Sequence, residues 1–439
     1  MGLFSRKKQP QAAAPAPVAV PEPVESGPSS RTLDEERTFL LSKVPPLRPF
    51  GMPVLDAGGL TLCEDVVSDL DLPPVAIAHV EGYGVKASNL VGASEKHAID
   101  LQLIATVAPG DHTPPPLPGG GTIFLEEGAP VPEGVDAIVP EPDAEVRGRH
   151  VFFTREAVRG AHLHDRGAEL RDGEQLLAAG QVLNPRSIAL LAEVGLDKVL
   201  VRPRPRIVVL GVDATLVSPG LPLTSGTQRY DSTTGLLATA ARSDGATVYP
   251  VGMIPATAAA VRQTIVDQGI RADLILIVGG SEEENELVTG VLRELGHVDV
   301  ADVAVNDGKR VCFGQTGDDG VPVLLLPGGA VSAYVAYHAL VRPLIGRLND
   351  SDPNRVPRRW ASLEGGVESV SETVRYVPAV LEGDRVCPVS SAGHELAFDL
   401  HRANVLLVLP RGRVRPGWDV ECLVLNDTAA VGPSGDRAR

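Results

Sequence analysis

Between residues 204 and 347 short apolar runs alternate with amphipathic stretches, and no other feature limits the chain as much. Residues 206–210, 248–251, 274–278 and 321–326 read as strands. Residues 232–243, 256–268, 286–295 and 331–344 read as helices. Leu274-Ile275-Leu276-Ile277-Val278 is apolar at every position, as expected of a strand buried on both faces. Strand followed by helix, repeated, implies a parallel sheet covered by helices.

In such a sheet ligands bind beyond the carboxyl ends of the strands. Three loops fall there: Gly211-Val212-Asp213-Ala214-Thr215, Val278-Gly279-Gly280-Ser281 and Leu326-Pro327-Gly328-Gly329-Ala330-Val331-Ser332. Glycines ahead of a helix allow backbone N–H groups to cradle a phosphate. Glu282, Glu283 and Glu284 follow the second loop. They suit a helix start, and they repel a phosphate unless a metal intervenes. Asp213 either faces a ligand or caps a turn. Asn306-Asp307-Gly308-Lys309-Arg310 is a turn followed by two cations, with Lys309 placed either to reach a phosphate or at the surface. The chain contains no P-loop, no G-x-G-x-x-G and no Ser/His/Asp arrangement. The residues alone therefore indicate an anion-binding α/β domain.

Other segments surround it. Residues 1–30 begin Met1-Gly2-Leu3-Phe4-Ser5-Arg6-Lys7-Lys8 and continue as a Pro/Ala-rich tract that cannot bury a core. They read as a disordered tail, its basic start either solvated or touching an anionic membrane surface or acidic partner. Thr32 and Glu35 form a capping-box pattern for a helix over 32–44. Residues 77–153 alternate short apolar runs with Gly/Pro clusters, which suggests a small β-barrel inserted in the chain. Asn184-Pro185 opens a helix that Gly195 closes. Residues 355–426 return to short strands.

Composition narrows the function classes. Lys and Arg total 40 against 56 Asp and Glu, a net charge of −16. That balance argues against general nucleic-acid binding. Cys63, Cys312, Cys387 and Cys422 are scattered, as expected of free thiols in a reducing compartment. His162 and His164 form the one close histidine pair and carry no carboxylate motif beside them. No apolar run is long enough for a transmembrane helix or a signal peptide, so the expected location is cytoplasmic.

Several segments, taken in order, resemble the MoeA family and the gephyrin E domain, the molybdopterin molybdenumtransferases. The family's G-A-P-[LV]-P-x-G-A-D-A-[VI]-V is close to Gly128-Ala129-Pro130-Val131-Pro132-Glu133-Gly134-Val135-Asp136-Ala137-Ile138-Val139. Its R-x-x-G-E-D-[IL]-x-x-G resembles the run from His164 to Gly173, and its Y-D-S-N resembles Tyr230-Asp231-Ser232-Thr233. Its closing barrel resembles Leu400-His401-Arg402-Ala403-Asn404-Val405-Leu406-Leu407-Val408-Leu409-Pro410. The resemblance covers residues 32–427. It implies a MoeA-like multidomain α/β fold. Residues 31–76 with 154–203 would form an elongated linker and dimerisation domain, and 77–153 an inserted β-module. Residues 204–347 would be the molybdopterin-binding α/β domain, 348–427 a C-terminal β-barrel, and 428–439 a tail.

It further implies a homodimer that inserts molybdate into adenylylated molybdopterin with Mg²⁺. Carried over residue by residue, Glu81, Asp231 and Glu286 would be the Mg²⁺ or molybdate carboxylates, with Lys309 as the fourth catalytic group. Gly279, Gly280, Ser281, Gly308, Gly328, Gly329 and Ser332 would hold the pterin phosphate. The chain departs from the family at these motifs. S-A-M-D-G-Y-A reads Ala78-His79-Val80-Glu81-Gly82-Tyr83-Gly84, and T-G-D-E-L reads Val212-Asp213-Ala214-Thr215-Leu216. The first of two lysines in K-P-G-K-P is lost at Asn306, with Asp307 beside it. Two further readings follow. One is a catalytically silent, gephyrin-like dimeric scaffold that binds a peptide of a cell-division, cytoskeletal or membrane-receptor partner through the barrel or tail. The other is a binder of a different nucleotide or metabolite.

Overall fold

The computed structural model describes residues 29–306, 309–351, 357–365, 369–371, 373–389 and 397–425. The tail segments 1–28 and 426–439, and Gly308 with Asp307, lie outside them.

The α/β unit carries a seven-stranded sheet. Its order is Ser29–Arg31, Gly296–Val303, Lys309–Thr316, Val321–Leu326, Leu274–Gly279, Arg206–Val212, Thr247–Ile254. The last four are mutually parallel, as the sequence pattern predicts. The four predicted strands form this parallel core, and the strands added beside it make the whole sheet mixed. Gly296–Val303 and Lys309–Thr316 form an antiparallel hairpin, and the second also runs antiparallel to Val321–Leu326. The helices are Thr233–Ser243, Ala258–Gly269 and Glu282–Leu295, the last starting four residues before its predicted position. Residues predicted as one helix over 331–344 are Ala330–Ala336, a π-helical turn Tyr337–Val341, and Arg342–Leu348.

Ser29–Arg31 adds a parallel edge strand, and the helix Leu33–Lys43 follows with Thr32 and Glu35 forming the capping box. Leu33, Leu40 and Val44 pack in one apolar cluster with Ile207, Leu276 and Leu324. This segment, expected to open the elongated module, thus packs on the α/β unit. Arg31 fixes it there, reaching Asp299 at 2.6 Å and Glu36 at 2.8 Å. Glu36 is 1% exposed, and burial outweighs the attraction of Arg31 and holds its carboxyl above the usual range. Arg31→Ala leaves that carboxyl without its cation. The expected cost is about 3 kcal/mol, read from chemical denaturation, and a loss under about 0.5 kcal/mol would show that the pair is idle.

Two chain segments build the elongated module. Phe50–Pro53 pairs with Lys198–Val201, Val66–Val67 with Gln175–Leu177, and Ile77–Ala78 with Leu163–His164, all antiparallel. Helix Pro185–Glu193 covers one side, with Asn184 accepting from the amides of Arg186 and Ser187. The insertion between the segments is an open six-stranded sheet, where the sequence suggests a small barrel. Its order is Ala137–Pro140, Gly82–Val85, Gly121–Leu125, Ile99–Val107, His150–Phe153, Ala144–Arg147. The C-terminal region closes a barrel of five strands, Arg358–Leu363, Arg385–Pro388, Arg375–Glu382, Val405–Leu409 and Asp419–Val424. Tyr376, Leu406, Leu423 and Leu425 of the barrel belong to the same apolar cluster as the sheet.

Candidate functional site

Three neighbouring strands, Arg206–Val212, Leu274–Gly279 and Val321–Leu326, end side by side, so their loops meet. The fit is close because glycine stands where the loops touch. A Cβ on Gly328 would lie 2.5 Å from the carbonyl oxygen of Gly279. A Cβ on Gly280 would run into Glu284 Oε2 and lie 2.6 Å from Asp213 Oδ2. On Gly279 it would run into Asn285 Oδ1, a buried oxygen with no hydrogen-bond partner among the described residues. The structure thus brings together Gly279, Gly280, Ser281 and Gly328, with Gly329 at the N-cap of Ala330–Ala336 and Ser332 buried in its first turn. Gly329 has φ +87°, a left-handed conformation that glycine adopts without strain.

The acidic helix start is less uniform than its sequence. Ser281 Oγ accepts from the amide of Glu284, and Glu284 Oε2 accepts from the amide of Ser281 at 2.7 Å, a complete capping box. Glu284 Oε1 also accepts from the amide of Ala214 at 2.7 Å, across to the next loop. Glu282 faces Arg310 at 3.7 Å, and Arg310 also bonds Asp302 at 3.0 Å. Asp302 holds the Arg310 guanidinium above its ordinary pKa, with Glu282 and Glu286 adding to the effect. Arg310 thus supplies a cation beside Glu282 and near Glu286, in place of the metal that the sequence alone would have required to relieve their charge. Asp213 accepts from the amide and hydroxyl of Thr215, both at 2.7 Å. It is a turn cap with Oδ2 toward Gly280.

The carboxylates assigned to Mg²⁺ are not brought together within one chain. Asp231 is buried and caps the helix Thr233–Ser243: Oδ1 accepts from the amides of Thr233 and Thr234, and Oδ2 from the Thr234 hydroxyl. The Asp-Ser-Thr-Thr sequence carries the signal of this cap. Glu81 is exposed at the start of the inserted sheet and has no side-chain hydrogen bond or ion pair among the described residues. Glu286 is exposed on its helix. Among the described residues no group of three or more His, Cys, Asp or Glu is placed to hold a metal ion. Mg²⁺ favours an octahedral oxygen shell with one or two carboxylates. The residues of a single chain do not fit it as the resemblance assigns them.

Lys309 opens the strand Lys309–Thr316 opposite Val303. Its partner in the proposed phosphate turn, Gly308, lies outside the described residues. Glu284 and Asn285 are the residues that sequence reasoning passed over as part of the site. The capping-box spacing Ser281-x-x-Glu284 was the available signal. No helix is long and apolar enough to cross a membrane among the described residues.

Comparison with known proteins bears on what these loops hold. Residues 31–195 match a family described as MoeA N-terminal region (domain I and II). Residues 208–347 match a family described as probable molybdopterin binding domain. The chain is 30% identical over 391 residues to molybdopterin molybdenumtransferase 2 of Mycobacterium tuberculosis, covering 87% of this chain and 95% of that protein. It is 29% identical over 427 residues to molybdopterin molybdenumtransferase 1 of the same organism, covering 90% of this chain and 99% of that one. The crystal structure of a molybdopterin biosynthesis MoeA protein from Pyrococcus horikosii superposes with a TM-score of 0.80 at 26% identity, covering 90% and 99% of the two chains.

Proposed function

We propose, from the premise that this chain belongs to the MoeA family of molybdopterin molybdenumtransferases, that its loops at the carboxyl edge bind the phosphate of molybdopterin for molybdenum insertion. One observation carries this reading. Where the loops meet, the amides of Ala214 and Ser281 converge on one point, which the two oxygens of the Glu284 carboxylate take. Such a surface brings backbone N–H groups close to a phosphate, and a helix start supports the charge. Gly279, Gly280, Ser281, Gly328, Gly329 and Ser332 would line it, with Lys309 and Gly308 assigned to the phosphate by the resemblance. The substrate would be adenylylated molybdopterin and molybdate, and the working unit a homodimer in which a second subunit supplies Glu81.

The test is calorimetric titration of the full chain with molybdopterin, with and without molybdate. Micromolar binding is expected, weakened at least about tenfold by Lys309→Ala through loss of a charge-assisted hydrogen bond. A folded chain that shows no binding would retire the reading. A catalytically silent scaffold is the second reading. It is favoured by Asp231, whose carboxylate is used up in capping, and by the exposed position of Glu81. Absence of molybdopterin binding would turn the search to protein partners of the barrel and tail.

A further inference from the structure

We infer that Glu284 is a specificity-determining residue of the anion cradle: its carboxylate lies among the backbone N–H groups that would otherwise face a phosphate. This rests on the reading of the loops as a phosphate site. Capping alone needs one oxygen of Glu284, and Oε2 serves it through the amide of Ser281 at 2.7 Å. Oε1 reaches 70 positions back in sequence and takes the amide of Ala214 at 2.7 Å. The two amides belong to loops that follow adjacent parallel strands, Arg206–Val212 and Leu274–Gly279. One carboxylate therefore receives both donors. A carboxylate offers two acceptor oxygens on one negative charge, as a phosphate edge does.

The surroundings point the same way. Gly280 leaves the room that the carboxylate fills, since a Cβ there would run into Glu284 Oε2. Asp213 Oδ2 faces the same glycine, which places a second negative charge over the loop. The wild-type cradle is thus filled from within. A phosphate that enters must displace Glu284 and overcome its charge, and the chain selects for ligands with other contacts strong enough to do so.

Inorganic pyrophosphate titrated into the full chain by calorimetry tests this. Glu284→Gln keeps an acceptor for the helix cap and removes the charge. It is expected to bind pyrophosphate at least about tenfold more tightly than the wild type. Glu283→Gln makes the same charge change at the exposed neighbour, and about twofold is expected there. Glu284→Asp keeps the charge and the short-range cap but withdraws from Ala214. It is expected to bind more tightly than the wild type and less tightly than Glu284→Gln. Equal affinities for the 284 and 283 amide variants, or Glu284→Asp indistinguishable from the wild type, would overturn the inference. Molybdenum insertion is measured in parallel. If the wild type inserts no molybdenum while Glu284→Gln binds pyrophosphate tightly, the transferase reading fails and this one stands. Active insertion with unchanged pyrophosphate affinity is the reverse.

Discussion

Gly328→Ala is expected to weaken molybdopterin binding by about a hundredfold, the scale on which a misplacement near 1 Å is felt at a reacting site. The cause is steric and lies in the backbone. The added Cβ would lie 2.5 Å from the carbonyl oxygen of Gly279 and 3.7 Å from Gly280 Cα. A side chain could rotate away from such a contact, but a carbonyl at the end of the buried strand Leu274–Gly279 can only move with its loop. The two loops must then part, and the amides they offer in common separate. Gly226→Ala, in open space within an exposed loop, is the control and should bind as the wild type does. Equal affinity of the two variants, with both folded by circular dichroism, would show that the contact between these loops is not part of the site.

The second large effect is on stability. His338 sits in the π-helical turn Tyr337–Val341, packed edge-on against Tyr334 at 4.5 Å and Tyr337 at 5.4 Å. Among the described residues, both ring nitrogens lack hydrogen-bond partners. Burial, with a smaller contribution from Arg342, pushes its pKa down to about 3. The folded chain therefore keeps His338 neutral through a range in which the unfolded chain takes up a proton. The stability due to this is present above about pH 6.5 and is lost as pH falls toward 3. At about 1.4 kcal/mol per pH unit the loss is roughly 4 to 5 kcal/mol. His338→Leu removes the titration and leaves every carboxylate in place. The stability difference between wild type and variant, by chemical denaturation at pH 7 and pH 3.5, should shift by most of that amount. Parallel curves would mean that water or a partner reaches the ring.

How far the sequence could be read depended on whether the cause of each element was local. Leu274–Gly279 and Val321–Leu326 announce themselves because burial on both faces demands continuous apolar residues. The capping box at Thr32 and the Asn184 cap are legible for the same reason, since cap and capped amides lie within three residues. The hairpin of Gly296–Val303 and Lys309–Thr316 was not legible. Asp299 and Asp302 interrupt its first strand, and what holds them is Arg31 and Arg310 on other strands. Ser29–Arg31 has no apolar residue at all and is a strand only because Ala301–Val303 offers a free edge.

The site divides along the same line. The glycine loops could be placed from their position after predicted strands. Whether Glu284 would face solvent or the amide of Ala214 depends on two strands lying side by side, which spacing along one chain does not contain. Asp231 shows a different limit. A resemblance assigns it chemistry, and three donors within three residues engage it first.

The apolar clusters have one more consequence. They include the strands Leu274–Gly279 and Val321–Leu326 up to Val278 and Leu326 and take in none of residues 213–215, 279–284 or 327–329. Residues in these turns contribute through caps and one cross-loop hydrogen bond, each worth about 1 kcal/mol, while the body beneath is held by packing that extends into the barrel. The fold is thus insulated from its own chemistry. Acids and amides at the rim can therefore be exchanged, altering or losing what is bound, without disturbing the architecture beneath.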